Sequence, residues 1–247
     1  SQDNTSPWQH GEGPDLMVLR NFRDQGFARA HNQALTSLFA RWPQESLATR
    51  WVALLSDRVV LAPDCVAQVF QAIQTNAETT VLSPKVRVAH LDGQEDTDEP
   101  RFVDTGIIEE AGRVFSRAFA LRSRGRGERD QGQYDQPSKE VLAGTWCLFV
   151  RADALLRANK GTGWLDVNRP ESCAFADLVS RLYVLGEPMR YVPEALAWVH
   201  RSHLVRAGWV ERFRRWYGEQ LPCGWRGILS VWRAKRARQL ASRAPRG

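Results

Sequence analysis

Trp51-Val-Ala-Leu-Leu-Ser-Asp-Arg-Val-Val-Leu-Ala-Pro-Asp64 is the stretch whose reading decides the fold. Trp51 to Leu55 is a short apolar run, the mark of a buried strand. Ser56-Asp57-Arg58 breaks it with three polar residues, Val59-Val60-Leu61 resumes it, and Pro63-Asp64 opens a helix. Val66, Val69, Phe70 and Ile73 follow at i, i+3, i+4 and i+7, which predicts one helix face laid on a sheet. Open α/β sheets place ligands where a buried strand ends in a polar turn, so any chemistry is expected around residues 56 to 58. An ordinary strand–turn–helix connection would have the same spacing.

Upstream, residues 1 to 14 are polar and carry Gly11, Gly13 and Pro14, as a loop does. Asp15 to Leu19 reads as a short strand, and Asp24-Gln-Gly26 as a turn. Phe27 to Trp42 reads as a helix with Phe27, His31, Ala34, Leu35, Leu38 and Phe39 inward. His31 reads as a packed histidine rather than a ligand. Asn32 is placed to hydrogen-bond either a base or backbone.

Downstream, Thr79 to Ser83 is a strand ended by Pro84, and Val86 to Arg101 is irregular. Phe102 to Glu109 reads as a strand of an antiparallel extension. Ser123 to Tyr134 has few apolar residues, many charges and three glycines, and is expected to be a mobile or ligand-dependent loop. Glu140 to Val150 is a second buried strand, and Arg151 to Leu156 starts a helix. Ala174 to Leu185 is helical and ends at Gly186; Met189 to Val192 is a strand stopped by Pro193. This order predicts an α/β sheet flanked by helices, with a mixed extension.

The 247 residues are enough for one full core with an appendage. A hydrophobic content of 43% with 25% charged residues fits a globular protein, and no apolar stretch reaches the length of a membrane span. Cys65, Cys147, Cys173 and Cys223 form no paired metal spacing and read as reduced thiols of a cytosolic protein. Net charge is +6, but residues 204–247 hold 11 Arg or Lys against two Glu, leaving −3 on residues 1–203. That division argues against a nucleic-acid groove across the main domain. In the tail, Trp209, Phe213, Trp216, Trp225 and Trp232 are interleaved with arginines. This is the make-up of an interfacial membrane helix, or of a helix packing its aromatics on the domain.

Several segments together resemble family-2 glycosyltransferases of the GT-A fold, the rhamnosyltransferase-like branch. Gly26-Phe-Ala-Arg-Ala-His-Asn32 is similar to that family's Gly-Phe-Ala…Asn segment. Leu54 to Asp64 matches Leu-Leu-Asn-Pro-Asp-Val-Val-Leu-x-Pro-Asp without gaps. Asp104-Thr-Gly106, Arg124-Gly-Arg-Gly127 and Asp130-Gln-Gly-Gln-Tyr-Asp135 resemble the acceptor-side segment. Gly163-Trp-Leu-Asp166, Asp177-Leu-Val-Ser-Arg-Leu182, Gly186 and Tyr191-Val-Pro193 follow in the family's order, and His200 falls where the family has a metal-contacting histidine. The resemblance covers residues 1–203. It implies a GT-A sheet, a nucleotide-sugar donor, a glycan or lipid-linked acceptor of the cell envelope, and a Mg or Mn ion bridging the donor phosphates. It assigns Asp3, Asn32, Asp57 and Arg58 to the donor side. It assigns Arg124, Arg126, Asp130, Tyr134, Gly144, Thr145 and Trp146 to the acceptor side. Asp166 and Asp177 are its candidate catalytic carboxylates, and His200 and Asp57 its candidate metal ligands. It also favours a cytoplasmic protein held peripherally on the inner membrane face by the tail.

The chain departs from the family at both chemical motifs. Arg58 stands where the metal-binding aspartate is expected, with Asp57 one residue early. Ala174 and Phe175 stand where a Glu-Asp pair supplies the general base. A guanidinium can hold a diphosphate bidentately without metal, or Arg58 marks a degenerate site. Only Ser1-Gln-Asp3-Asn4 resembles the nucleotide-binding N-terminal stretch, and the chain does not begin with Met. The first strands, about 40 to 50 residues on the usual size of such a unit, are therefore expected to be missing or replaced. The two functions that follow are a sugar transferase and a catalytically degenerate relative that binds a glycan or a partner.

Overall fold

The computed structural model describes residues 18–92, 101–116, 121–136, 140–169 and 171–200. Asp3, most of the expected strand at 15–19, Cys223 and the whole 204–247 tail lie outside them. The elements are α1 (Phe27–Phe39), β1 (Trp51–Leu55), β2 (Val59–Leu61), α2 (Cys65–Thr75), β3 (Val81–Asp92), β4 (Arg101–Glu110), β5 (Arg113–Phe115), β6 (Leu121–Ser123), β7 (Cys147–Arg151), α3 (Ala152–Arg157), α4 (Glu171–Val184) and β8 (Met189–His200). The expected class holds: a mixed sheet flanked by helices. Its order is β1-β7-β3-β8-β2, with β4 also on β3. β3 and β8 run parallel, and the other pairings are antiparallel.

The pleat sends alternate residues to two cores. On β7, Leu148 and Val150 pack with Val52, Leu54 and Val81 among residues of α1, α3 and α4. Cys147 and Phe149 pack the other way, with Leu82, Val192 and the Cys65, Val69 and Ala72 face of α2. Cys65, Cys147 and Cys173 are buried thiols outside any disulfide. Burial, helped by the Asp64 charge, pushes the Cys65 thiol up to about 11, which keeps it unreactive.

Four expectations are corrected. On α2, Val66 and Phe70 are exposed, and Cys65 and Ala72 join Val69 inside. On α1, Ala34 is exposed and Ala28 buried, and the helix stops at Phe39. The two prolines read as strand ends lie inside long strands. Pro84 pairs with Val192, and the next pair is Lys85 with Leu196, so Pro193, Glu194 and Ala195 bulge out. A bulge removes the need for ladder N–H groups there, which is how a sheet tolerates proline. The stretch read as irregular after Val86 continues β3 as far as Asp92, because β4 offers it a full antiparallel partner.

The junction of β7, α3 and β8 is tied by charge. Asp153 accepts from Arg151 Nε at 2.6 Å and Arg157 Nη1 at 3.0 Å, and Arg157 Nε reaches Glu187 at 2.8 Å. Burial disfavours the Asp153 charge, but the hydrogen bonds from Arg151, Arg157 and the Ala154 N–H outweigh it and bring its pKa to about 2. A depressed carboxylate stabilises the fold above its unfolded pKa and loses that contribution as pH falls through the folded one. Unfolding free energy is therefore expected to drop by about 2 kcal/mol on this account between pH 5 and pH 2. Urea titrations of Asp153→Asn should show a correspondingly flatter acid limb than the unsubstituted chain.

Candidate functional site

β1 and β2 close opposite ends of the strand path, so the three residues between them turn the chain from one partner to another. The Ser56 N–H donates to Trp146 O at 3.3 Å, and the Val59 N–H donates to Ser56 O at 3.1 Å. The His200 N–H donates to Arg58 O at 2.9 Å. The fold thus brings Asp57, Arg58, Trp146 and His200 together at one sheet end. The Ser56 hydroxyl is buried and donates to Asp57 Oδ1 at 3.2 Å. The Asp57 and Arg58 side chains are 83% and 54% exposed, with Arg58 Nε 4.0 Å from Asp57 Oδ1.

Beside the turn lies an aromatic wedge. His31 Nδ1 is 2.9 Å from Phe27 O, and Nε2 is 3.2 Å from Leu55 O, the last residue of β1. Phe175 crosses both rings edge-on, with centroids 5.1 Å from Phe27 and 5.5 Å from His31. Phe175 is 2% exposed. The position that would carry a general base is a packed piece of core.

The other donor-side and carboxylate candidates are tied to neighbouring groups. Asn32 Oδ1 accepts the Trp164 and Leu165 N–H groups at 2.9 and 2.8 Å, and Nδ2 donates to Leu165 O at 2.8 Å. Of the two roles open to it, Asn32 has the backbone one. Gly163 is required there: it has φ +127°, and a Cβ would lie 2.5 Å from Asn32 Nδ2. Asp166 accepts the Asn168 N–H at 3.0 Å and faces Arg169 at 3.4 Å. The Asn168 N–H leads in holding its carboxyl below the usual range despite partial burial, which makes it a poor base. Asp177 is buried on α4, with Oδ2 2.9 Å from Arg181 Nε and 3.2 Å from Lys160 Nζ. Arg181 also donates to the carbonyls of Ala158 and Trp164. Asp177 therefore anchors the loop before α4.

The segment expected to be mobile is strapped down instead. The Ile108 N–H donates to Glu128 O, the Gly127 N–H to Ile108 O and the Asp130 N–H to Gly106 O, each at 2.8 Å. The Asp130 side chain is almost wholly buried, 3.1 Å from Lys85 Nζ and 2.6 Å from Arg87 Nη2. Burial opposes its charge, but hydrogen bonds from Lys85, Arg87 and the Gly132 N–H hold the carboxyl below its usual range. Arg124 Nε donates to Ala111 O at 2.8 Å, and its guanidinium stacks 4.8 Å over Tyr134 and 5.1 Å over Tyr191. Arg126 pairs with Glu109 at 3.2 Å. The Tyr134 hydroxyl donates to Glu128 at 2.9 Å. The charges of this segment neutralise one another against β3 and β4.

Sequence reasoning missed Glu110. It is fully buried and accepts from Arg113 Nε at 2.6 Å, the Ser123 hydroxyl at 3.0 Å, and both the backbone N–H and hydroxyl of Thr145. The Gly144 N–H donates to Ser83 Oγ at 2.6 Å. Residues 144–146 are thus held one after another by Ser83, Glu110 and Ser56. The signal available was a pair of glutamates closing an apolar strand, where carboxylates have to be compensated.

The chemistry of the turn does not fit a divalent cation. Mg or Mn is held by several oxygen ligands. Asp57 offers one carboxylate, and a guanidinium 4.0 Å away competes for it. Among the described residues no group of three or more His, Cys, Asp or Glu is placed to hold a metal.

No family model matches the sequence, and no curated protein matches it significantly. Among solved structures, the crystal structure of GalNAc-T7 with UDP, GalNAc and Mn2+ is similar over 76% of this chain, at 13% identity and a TM-score of 0.49. This chain spans 32% of that one.

Proposed function

We propose that this chain is a glycosyltransferase-like protein that binds a nucleotide-sugar donor at the Ser56–Arg58 turn, with Arg58 taking the diphosphate in place of a metal. The observation that carries the reading is a half-exposed guanidinium in the turn between β1 and β2, whose backbone hydrogen-bonds to that of Trp146 and His200. A planar guanidinium matches phosphate oxygens bidentately and needs no cation. Transfer would also require a group to take the acceptor hydroxyl's proton. Phe175 cannot, and Asp166 is held as a weak base. The function we favour is therefore binding of a donor, beside an envelope glycan or lipid-linked partner, without efficient transfer. The basic 204–247 tail would seat the protein on an anionic membrane surface at the cytoplasmic side.

A second reading, an inverting transferase acting on an envelope polysaccharide or lipid-linked acceptor, is favoured by the ordered family-like segments between Gly26 and His200. It needs a base supplied from somewhere other than position 175.

Arg58→Ala is expected to weaken nucleotide-sugar binding about tenfold or more, the usual worth of a charge-assisted pair. Isothermal titration measures this. Release of free nucleotide, followed by chromatography with mixed glycan acceptors, should stay at the rate without protein. Release well above that rate would favour the transferase.

A further inference from the structure

A pocket of about 360 Å³ lies between the end of α3 and the second half of α4. Its size is that of a small-ligand site. Its wall carries Arg157, Lys160, Arg169 and Arg181 against one carboxylate, Asp177. None of these residues belongs to the Ser56–Arg58 turn.

The charges are arranged around that carboxylate. Lys160 Nζ and Arg181 Nε are 3.2 and 2.9 Å from Asp177 Oδ2, and Arg169 Nε is 3.9 Å from Oδ1. With their surroundings included, five basic groups (Arg151, Arg157, Lys160, Arg169, Arg181) meet four acidic ones (Asp153, Asp166, Asp177, Glu187). Three of the four acids lie outside the pocket wall, but each pairs with a cation on it, which leaves the group an excess of one positive charge. Lys160 and Arg157 are about half exposed, and an ammonium has three donors. Asp177 takes one of those of Lys160. Val184 and Leu185 add an apolar rim, and both are exposed.

We infer that this pocket is an anion site for a phosphate-bearing ligand, either a sugar phosphate or the phosphate headgroup of a lipid. Several cations on a concave wall beside apolar side chains suit a phosphate ester, whose charge is compact and whose remainder is bulky.

The test uses the full chain with Arg58→Ala, so that the turn at 56–58 does not contribute. Pyrophosphate and glucose 1-phosphate are expected to bind once per chain. Lys160→Gln with Arg157→Gln should weaken that binding about tenfold, and Lys160→Arg should retain it. Parallel sedimentation with phosphatidylcholine vesicles containing phosphatidic acid separates the sources. Loss of vesicle binding alongside pyrophosphate binding assigns a headgroup, and loss of pyrophosphate binding alone assigns a free ester. On the unsubstituted chain, pyrophosphate should protect the Lys160 amine from acetylation, read by mass spectrometry, which needs no variant to fold. No saturable binding, unchanged affinity in the Gln variant, or no protection of Lys160 would each overturn the inference. Because Arg58 is absent from the titrated chain, failure here is distinct from failure of donor binding at the turn.

Discussion

Glu110→Ala is expected to lower the unfolding free energy by about 3–5 kcal/mol, the usual cost of breaking a buried ion pair from one side. Glu110 is fully buried, and so, nearly, is its partner Arg113. Removing the carboxylate strands a guanidinium where water does not reach it. It also removes the acceptor for the Ser123 hydroxyl and for both polar groups of Thr145. Gly144 packs so closely that a Cβ there would overlap Glu110 Oε1, and as a glycine it has no side chain to fill the gap. For a chain of this size the loss corresponds to a fall of about 6–20 °C in Tm. Urea unfolding monitored by tryptophan fluorescence measures it. A loss below about 1 kcal/mol, the net worth of one ordinary hydrogen bond, would show that the network does not bear on stability.

Phe175→Asp is the second large effect. On family logic this substitution restores a base. In the fold it puts a carboxylate among Phe27, His31 and the core of α1 and α4. Truncating a buried phenylalanine costs about 3–5 kcal/mol, and an unpaired buried charge adds to that. The expected result is a strongly destabilised chain with no gain in nucleotide release, alone or combined with Arg58→Asp. Stable folding with new metal-dependent turnover would mean that the wedge is a lapsed catalytic site and not a committed core.

The fold class was legible because its signals are periodic. The apolar run of β1 and the turn between β1 and β2 stand where the sequence places them, while β7 (Cys147–Arg151) takes up only the end of the run read as a strand from Glu140. What misled was local chemistry overridden by partners distant in sequence. Pro84 and Pro193 read as stops, yet they are accommodated by one shared bulge, which neither proline reveals alone. Val66 and Phe70 fit a helical face as well as Cys65 and Ala72 do, and only the position of the sheet decides which set is buried. The site was legible in part. The polar turn at 56–58 does follow β1, and the backbones of Trp146 and His200 hydrogen-bond to it. Asn32, Asp130 and Asp177 are used to hold the chain together, and a charged residue in sequence does not say whether its partner is a ligand or another segment. Glu110 was hidden because its partners come from three separate stretches, Arg113, Ser123 and Thr145.

The most direct measurement is a calorimetric titration of the full chain with UDP-, dTDP- and GDP-sugars, with and without Mn²⁺. Donor binding through Arg58 predicts saturable binding of at least one of them, with the same affinity in the presence and absence of the metal. Binding that appears only with Mn²⁺, or no binding to any of the three, would contradict it.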